Sequence, residues 1–386
     1  MKFLKNLLKW IVVIVGLFIA ILYITDTDYL LKAVRTIYLK GHKTAYLEDY
    51  KEFDNRTIEK GVGFSWPKHK DYNSAKETVA LNTWNETLGT IAFLVIKNDS
   101  IWFENYYDGF KKDSKSNSFS MAKSLVSALL GKAIMEGKIK SLDQPVSDFY
   151  PEFGEGMASK LTVGDLSSMA SGMDWDESYY SPFSITTRAY FYDNLEHMML
   201  GVKITGEPGQ SYKYLSGNTE LLGMVITKAT GQTLSEYLSE KFWKPLGCEN
   251  EAVWQIDKNG GLEKAYCCIA GNARDFARFG KLYKDHGKWN GKQVLDSSFI
   301  AKSVTPRFTA SPQYGYGWWI LKNYKGKDFF MMRGHLGQYV IVEPKDNIII
   351  VRLGHSSAKK EGDSNPFSKD IYGYIDEAYK MMGNDR

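Results

Sequence analysis

The chain has 386 residues, of which 44% are hydrophobic and 24% charged, with a formal net charge of +4. That length allows one large domain or two smaller ones with a sizeable core. So small a charge over so long a chain, with no long basic run, excludes a dedicated nucleic-acid binder. Cys248, Cys267 and Cys268 form neither a disulfide framework nor a metal-ligand spacing, and they read as buried thiols.

Residues 1–30 form the clearest local signal. Lys2, Lys5 and Lys9 precede an uninterrupted apolar run from Trp10 to Ile24, and Asp26 and Asp28 follow it. Extended by Leu7 and Leu8, the run reaches the roughly 17–25 residues that a bilayer-spanning helix needs. The lysines place the N-terminus on the cytoplasmic side and the remainder outside, at the cytoplasmic membrane. The run ends Ala20-Ile-Leu-Tyr-Ile-Thr25, with no small-x-small cleavage pattern, which favours an uncleaved single-pass anchor over a removed signal peptide.

Residues 31–84 are polar and weakly patterned and read as a stalk and lead-in. A single domain is then expected over 85–386. It opens with a strand, turn and strand over Leu88–Lys97 and Ile101–Tyr107. A helix follows, in which Ala122, Leu125, Val126, Leu129, Leu130, Ala133 and Ile134 recur at helical period, with Gly137 at its end. A mostly helical region fills about 120–250. It includes a capped start at Thr162–Asp165 and amphipathic stretches over 217–230 and 233–243. Beyond a helix at 273–285, strands are predicted over 328–332, 338–343 and 347–353, the last two joined by the turn Pro344–Asn347. A closing helix carries Ile371, Ile375, Ala378, Tyr379 and Met382 on one face. Strands at both ends with helices between predict an α/β (α+β) fold: one antiparallel sheet flanked by helices, with a helical insertion.

Ser120-Met-Ala-Lys123 opens the first long helix. Three residues apart, the two side chains lie one turn apart on one face. Burial lowers a lysine pKa, the helix N-terminus disfavours a cation, and the neutral amine so produced can take a serine proton. The same spacing occurs at Ser65–Lys68, Ser356–Lys359 and Ser357–Lys360. Only Ser120 begins a long apolar-faced helix. The plain alternative is a helix cap beside a solvated lysine.

Further motifs change the weight of that pair. Phe119-Ser-Met-Ala-Lys123 is followed by Leu161-Thr-Val-Gly-Asp-Leu-Ser-Ser-Met-Ala-Ser-Gly172 and by Pro208-Gly209 through Tyr212-Lys-Tyr214-Leu-Ser216 to Gly223. Then come Ala273-Arg-Asp-Phe-Ala-Arg-Phe-Gly280 and Gly334-His335-Leu-Gly337-Gln338. In order, spacing and flanks this resembles the serine beta-lactamase and penicillin-recognising superfamily, over about residues 85–386. Within it the chain is similar to the class C-related esterases and the 6-aminohexanoate-oligomer hydrolases. The resemblance implies a beta-lactamase-like fold. It makes Ser120 the nucleophile, Lys123 its proton acceptor and Tyr214 the proton shuttle. The backbone N–H groups of Ser120 and Gln338 become the oxyanion hole. No metal or organic cofactor is implied.

The departures from the pattern shape the expected substrate. Ser216 stands where the lactamases have asparagine, and His335-Leu-Gly337 replaces Lys-Thr-Gly. The lost lysine removes a cation for a substrate carboxylate, and the lost asparagine removes an amide for a substrate acylamide. Both changes point to a small-molecule or peptide-like ester or amide rather than a beta-lactam. Ser216, His335, Gly337 and Tyr179 are the expected substrate-side residues, with plain packing the alternative for Tyr179 and local hydrogen bonding for His335. A peptidoglycan D,D-peptidase or beta-lactamase, and an inactive anchored binding or sensor protein of the same fold, stay open as alternatives. The natural substrate and oligomeric state are not legible.

Overall fold

The computed structural model of the chain describes residues 1–362 and 365–383. Its strands fall in chain order at β1 (Asn55–Ile58), β2 (Thr90–Lys97), β3 (Ser100–Tyr106), β4 (Ser116–Asn117), β5 (Ala252–Gln255) and β6 (Ile269–Gly271). A short hairpin, β7 (Lys288–Trp289) and β8 (Lys292–Gln293), precedes β9 (Trp319–Tyr324), β10 (Lys327–Gly334), β11 (Gln338–Glu343) and β12 (Ile348–Gly354).

The main sheet is antiparallel with order β3-β2-β12-β11-β10-β9. The β2–β12 pairing, from Ile348 against Lys97 to Leu353 against Ala92, joins the two ends of the chain as the sequence predicts. Both faces of the sheet are covered, and the period-2 alternation sorts its side chains between them. Leu94, Ile96, Val340, Val342, Ile349 and Val351 face the large core under the helical region. Phe93, Val95, Tyr339, Ile341 and Ile350 face a second core beneath the C-terminal helix Lys369–Met381. Helix Ala273–Lys284 lies against the first face. Gly280 allows the close approach, since a Cβ there would stand 2.9 Å from Val340 and 3.1 Å from Val342. Strand β9 was not anticipated, because its apolar run is short and Gly315 and Gly317 precede it.

The stalk expected over 31–84 is corrected by the structure. Ala33, Ile37, Leu47, Phe53, Ile58 and Trp66 are buried in the main core, and β1 pairs with β5 in a second sheet of order β1-β5-β6-β4. The segment holds to the domain through a buried carboxylate. Asp49 is fully buried and accepts hydrogen bonds from Tyr190 Oη (2.6 Å), Asn117 Nδ2 (3.0 Å), Gln255 Nε2 (3.1 Å) and the Tyr46 amide (3.2 Å). Burial pushes its carboxyl above the usual range, and these donors pull the other way.

The cysteine reading also changes. Cys248 is a free buried thiol, but Cys267 and Cys268 are joined as a vicinal disulfide. At the N-terminus, Lys2–Ile24 is one helix of 23 residues with mean hydropathy 2.7 in its most apolar window. At 1.5 Å per residue it is roughly 34 Å long, enough for a hydrocarbon core of about 30 Å.

Replacing Asp49 by Ala strands three side-chain donors in the core, each costing about 1–3 kcal/mol. Urea unfolding of Asp49→Ala is expected to show at least about 3 kcal/mol of lost stability. A loss below about 1 kcal/mol would show that the segment is not held this way.

Candidate active site

Strand β4 delivers the chain to Ser118, whose amide donates to Ile269 O (2.8 Å), and a 3-10 turn over Phe119–Met121 runs into helix Ala122–Met135. Phe119 has φ +46°, a left-handed conformation that a bulky residue adopts only under constraint. Asn117 supplies part of it: its Oδ1 accepts the Phe119 amide at 2.9 Å, while its Nδ2 is held by Asp49. Strand β10 packs against the turn so closely that a Cβ on Gly334 would meet Ser118 O at 2.2 Å. Ser120 thus starts a rigid helix and stays half-buried, reachable from a cavity.

Lys123 is only 3% exposed. Its Nζ lies 3.0 Å from Ser120 Oγ, 3.2 Å from Ser216 Oγ and 2.8 Å from Tyr266 O. Burial pulls the amine down to about 8, against the carboxylates of Glu177 and Glu220, which push it up. Tyr214 completes the group. Its ring centre is 5.1 Å from Lys123 Nζ, and it packs on Trp319 at 5.3 Å. Enclosure pushes the phenol well above its usual range, while a hydrogen bond with Ser120 pulls it down.

The Ser216 and Glu177 contacts fix the direction of the protons. Helix Ser216–Thr230 begins at Ser216, whose amide and hydroxyl both reach the Glu177 carboxylate at 2.6 Å. A carboxylate accepts, so the Ser216 hydroxyl proton points to Glu177 and its oxygen must accept from Lys123. The Tyr266 carbonyl only accepts. A neutral Lys123 amine has two hydrogens, and both are taken there. Its lone pair is left facing Ser120.

The remaining predicted residues divide in two. His335 and Tyr179 line the same cavity as Ser120 and Ser216, with their rings stacked at 5.5 Å. Burial lowers the His335 imidazole to about 4, and its Nε2 lies 3.4 Å from Thr44 Oγ1. The Tyr179 hydroxyl donates to Glu177 Oε1 at 2.6 Å. Gly337 and the Gln338 side chain sit behind this surface. Gly337 has φ +81°, and a Cβ there would meet Arg352 at 2.2 Å, so it shapes the turn rather than the cavity wall. The Gln338 side chain ties the turn to β12 by donating to Gly354 O (2.7 Å) and accepting the Gly354 amide (3.1 Å).

Sequence reasoning missed Glu177, the Tyr266 carbonyl and the cavity wall contributed by Ala33, Ile37 and Thr44. Glu177 lies two residues before Tyr179 in Asp174-Trp-Asp-Glu-Ser-Tyr-Tyr180, yet nothing there separates it from Asp174 and Asp176.

A family profile described as "Beta-lactamase" matches residues 82–370, three quarters of the chain. The chain belongs to the beta-lactamase family. The 6-aminohexanoate-dimer hydrolase of Paenarthrobacter ureafaciens is 27% identical over 287 residues, covering 68% of this chain and 72% of that protein. Protein flp of Staphylococcus aureus is 27% identical over 167 residues, 40% of this chain and 33% of its own length. Among solved structures, a candidate 6-aminohexanoate-dimer hydrolase from Bacillus anthracis superposes with TM-score 0.70 at 23% identity, covering 90% of this chain and 96% of that one. A family VIII carboxylesterase superposes with TM-score 0.59 at 17% identity, over 79% and 98% of the two chains. At these identities the superpositions establish the fold. With the family match they give a beta-lactamase-family fold, and the relatives named here include a 6-aminohexanoate-dimer hydrolase and a carboxylesterase.

If Lys123 works as the neutral amine, kcat/KM on a soluble ester should rise with pH through about 8 and level off above it. Glu177 raises the Lys123 pKa, so Glu177→Gln should move this acid limb to lower pH, by about one unit. A limb that stays put or moves upward would remove Glu177 from the control of Lys123.

Proposed function

We propose that the protein hydrolyses an ester or amide through an acyl-enzyme on Ser120. The observation that carries the reading is the Lys123 amine, buried, 3.0 Å from Ser120 Oγ and with its other two contacts occupied by acceptors. In acylation Ser120 Oγ bonds to the substrate carbonyl carbon and its proton passes to Lys123 Nζ. The carbonyl electron pair moves onto oxygen, where the backbone N–H groups of Ser120 and Gln338 are proposed to stabilise it. One such donor is worth about 3–4 kcal/mol. When the tetrahedral adduct collapses, the leaving oxygen or nitrogen departs with a proton delivered by Tyr214, which Lys123 replenishes. Water then attacks the acyl carbon, gives its proton back through the same groups, and frees the acid and Ser120.

The surroundings of His335 support an ester or simple amide over a beta-lactam. Where the lactamases have a lysine there is an imidazole lowered to about 4, neutral at pH 7. The nearby Arg333 guanidinium lies over Trp319 at 4.4 Å and donates to Pro366 O at 2.9 Å, so it is already engaged. The paired wall of Tyr179 and His335 supports their assignment to the substrate. We place the enzyme on the cytoplasmic membrane, anchored by Lys2–Ile24 with the hydrolase domain outside.

A fluorophosphonate probe should label the wild type and not Ser120→Ala. Lys123→Ala and Tyr214→Phe should each lower turnover of p-nitrophenyl esters by at least about a hundredfold. Equal labelling of wild type and Ser120→Ala would refute the nucleophile. Stable acylation by a labelled penicillin, with no ester turnover, would favour the peptidase reading instead.

A further inference from the structure

The apolar helix does not lead away from the active site. Its last turn ends at Ile24, where Leu22 is buried, and the next residues are pinned to one side of the site. Asp26 pairs with Arg188 and accepts from Tyr192 Oη (3.2 Å), and Tyr29 Oη donates to Pro182 O at 3.0 Å. The partners belong to 182–192, the stretch whose Pro182, Thr186, Tyr190 and Phe191 line the Ser120 cavity. Ala33 and Ile37 complete that wall from the helix Tyr29–Thr36 and its end. Thr25–Asp28 is a turn, and even a fully extended segment of that length plus five residues of helix would put Ala33 within roughly 20 Å of the end of the span.

The rim of the cavity has the composition of a membrane interface. Beyond Ile24 there are eleven large hydrophobic side chains exposed among the described residues, and six of them flank this cavity: Val34, Tyr38, Leu39, Tyr179, Tyr180 and Phe183. Leu39, Tyr180 and Phe183 are 77%, 72% and 76% exposed. From Tyr29 to Leu47 the chain carries Lys32, Arg35, Lys40 and Lys43 and no acidic residue. Exposed tyrosines with basic residues beside a span suit the headgroup layer of an anionic bilayer. Aromatic and apolar residues in solution would otherwise form an exposed patch of the kind that marks an interaction site.

The cavity is partly enclosed and its wall is largely apolar. Tyr214 does not line it. Tyr214 borders a separate open cleft with Tyr212, Trp319 and Phe367. With Tyr214 proposed to serve the leaving group, this cavity is assigned to the acyl side of Ser120.

We infer that the substrate is a membrane-borne amphiphile whose linear acyl chain enters this cavity from the bilayer surface, with segments 34–43 and 179–183 resting in the interface. The inference rests on the proposed Ser120 acyl-enzyme and on the anchored helix. In each turnover the acyl carbon leaves its alcohol or amine, which departs with the Tyr214 proton, and bonds to Ser120 Oγ. Water then releases the fatty acid.

The test uses the full chain reconstituted in phosphatidylglycerol–phosphatidylcholine vesicles, with p-nitrophenyl acetate and p-nitrophenyl decanoate as probes. Decanoate should be preferred by at least about tenfold in kcat/KM, and Ile37→Trp should cut that preference about tenfold by narrowing the slot. Leu39→Glu with Phe183→Glu should lower turnover of vesicle-borne decanoate by at least about fivefold relative to the same variant in detergent micelles. Equal use of the two esters by a Ser120-labelled enzyme overturns the acyl-chain assignment, and unchanged vesicle turnover in the rim variant overturns the interfacial seat. Loss of both esters together with absent fluorophosphonate labelling would strike the Ser120 reading itself.

Discussion

Lys123 has almost no contact with solvent, and its amine meets three oxygens. A buried ammonium is costly, and among the described residues no carboxylate pairs with it directly. Glu177 acts through Ser216 and Glu220 lies farther off, itself pushed up to about 8 by burial. The balance leaves the amine near 8 rather than near its ordinary value. The surrounding elements serve this balance. Helix Ala122–Met135 carries Lys123, the start of helix Ser216–Thr230 supplies the hydroxyl, and the loop before β6 supplies the carbonyl. Without that hydroxyl or carbonyl, a Lys123 hydrogen would be free to turn toward Ser120 in place of the lone pair.

The turn that presents Ser120 depends on a second buried network. Asp49 ties the N-terminal segment to Asn117, and Asn117 holds the left-handed Phe119 that aims Ser120. The same segment walls the cavity with Ala33 and Ile37. One stretch of chain therefore links the apolar helix, the packing of the domain and the shape of the cavity beside Ser120. It makes the buried residues from Tyr29 to Trp66 part of the domain's core.

Legibility in the sequence followed regularity. The Ser120 helix, the terminal hairpin over β11 and β12 and the closing helix have strong periods, and they stand where the pattern put them. The small sheet does not announce itself, because its strands run two to four residues and two of its pairings, β1–β5 and β4–β6, join positions more than a hundred apart. Residues 31–84 looked like a stalk since their buried side chains, from Ala33 to Trp66, follow an irregular path with no fixed period. Within the site, motifs located Ser120, Lys123, Ser216 and His335. Glu177 was hidden among neighbouring acids in a loop, and the Tyr266 carbonyl is backbone, which no residue code marks.

The account turns on the charge state of one amine. Selective 13C labelling of lysine, with Lys123 assigned by comparison with Lys123→Arg, would follow its Cε resonance through a pH titration of the intact enzyme. A midpoint near 8 is the predicted result. A midpoint above about 10, the value of an ordinary lysine, would mean that Lys123 stays an ammonium and cannot take the Ser120 proton.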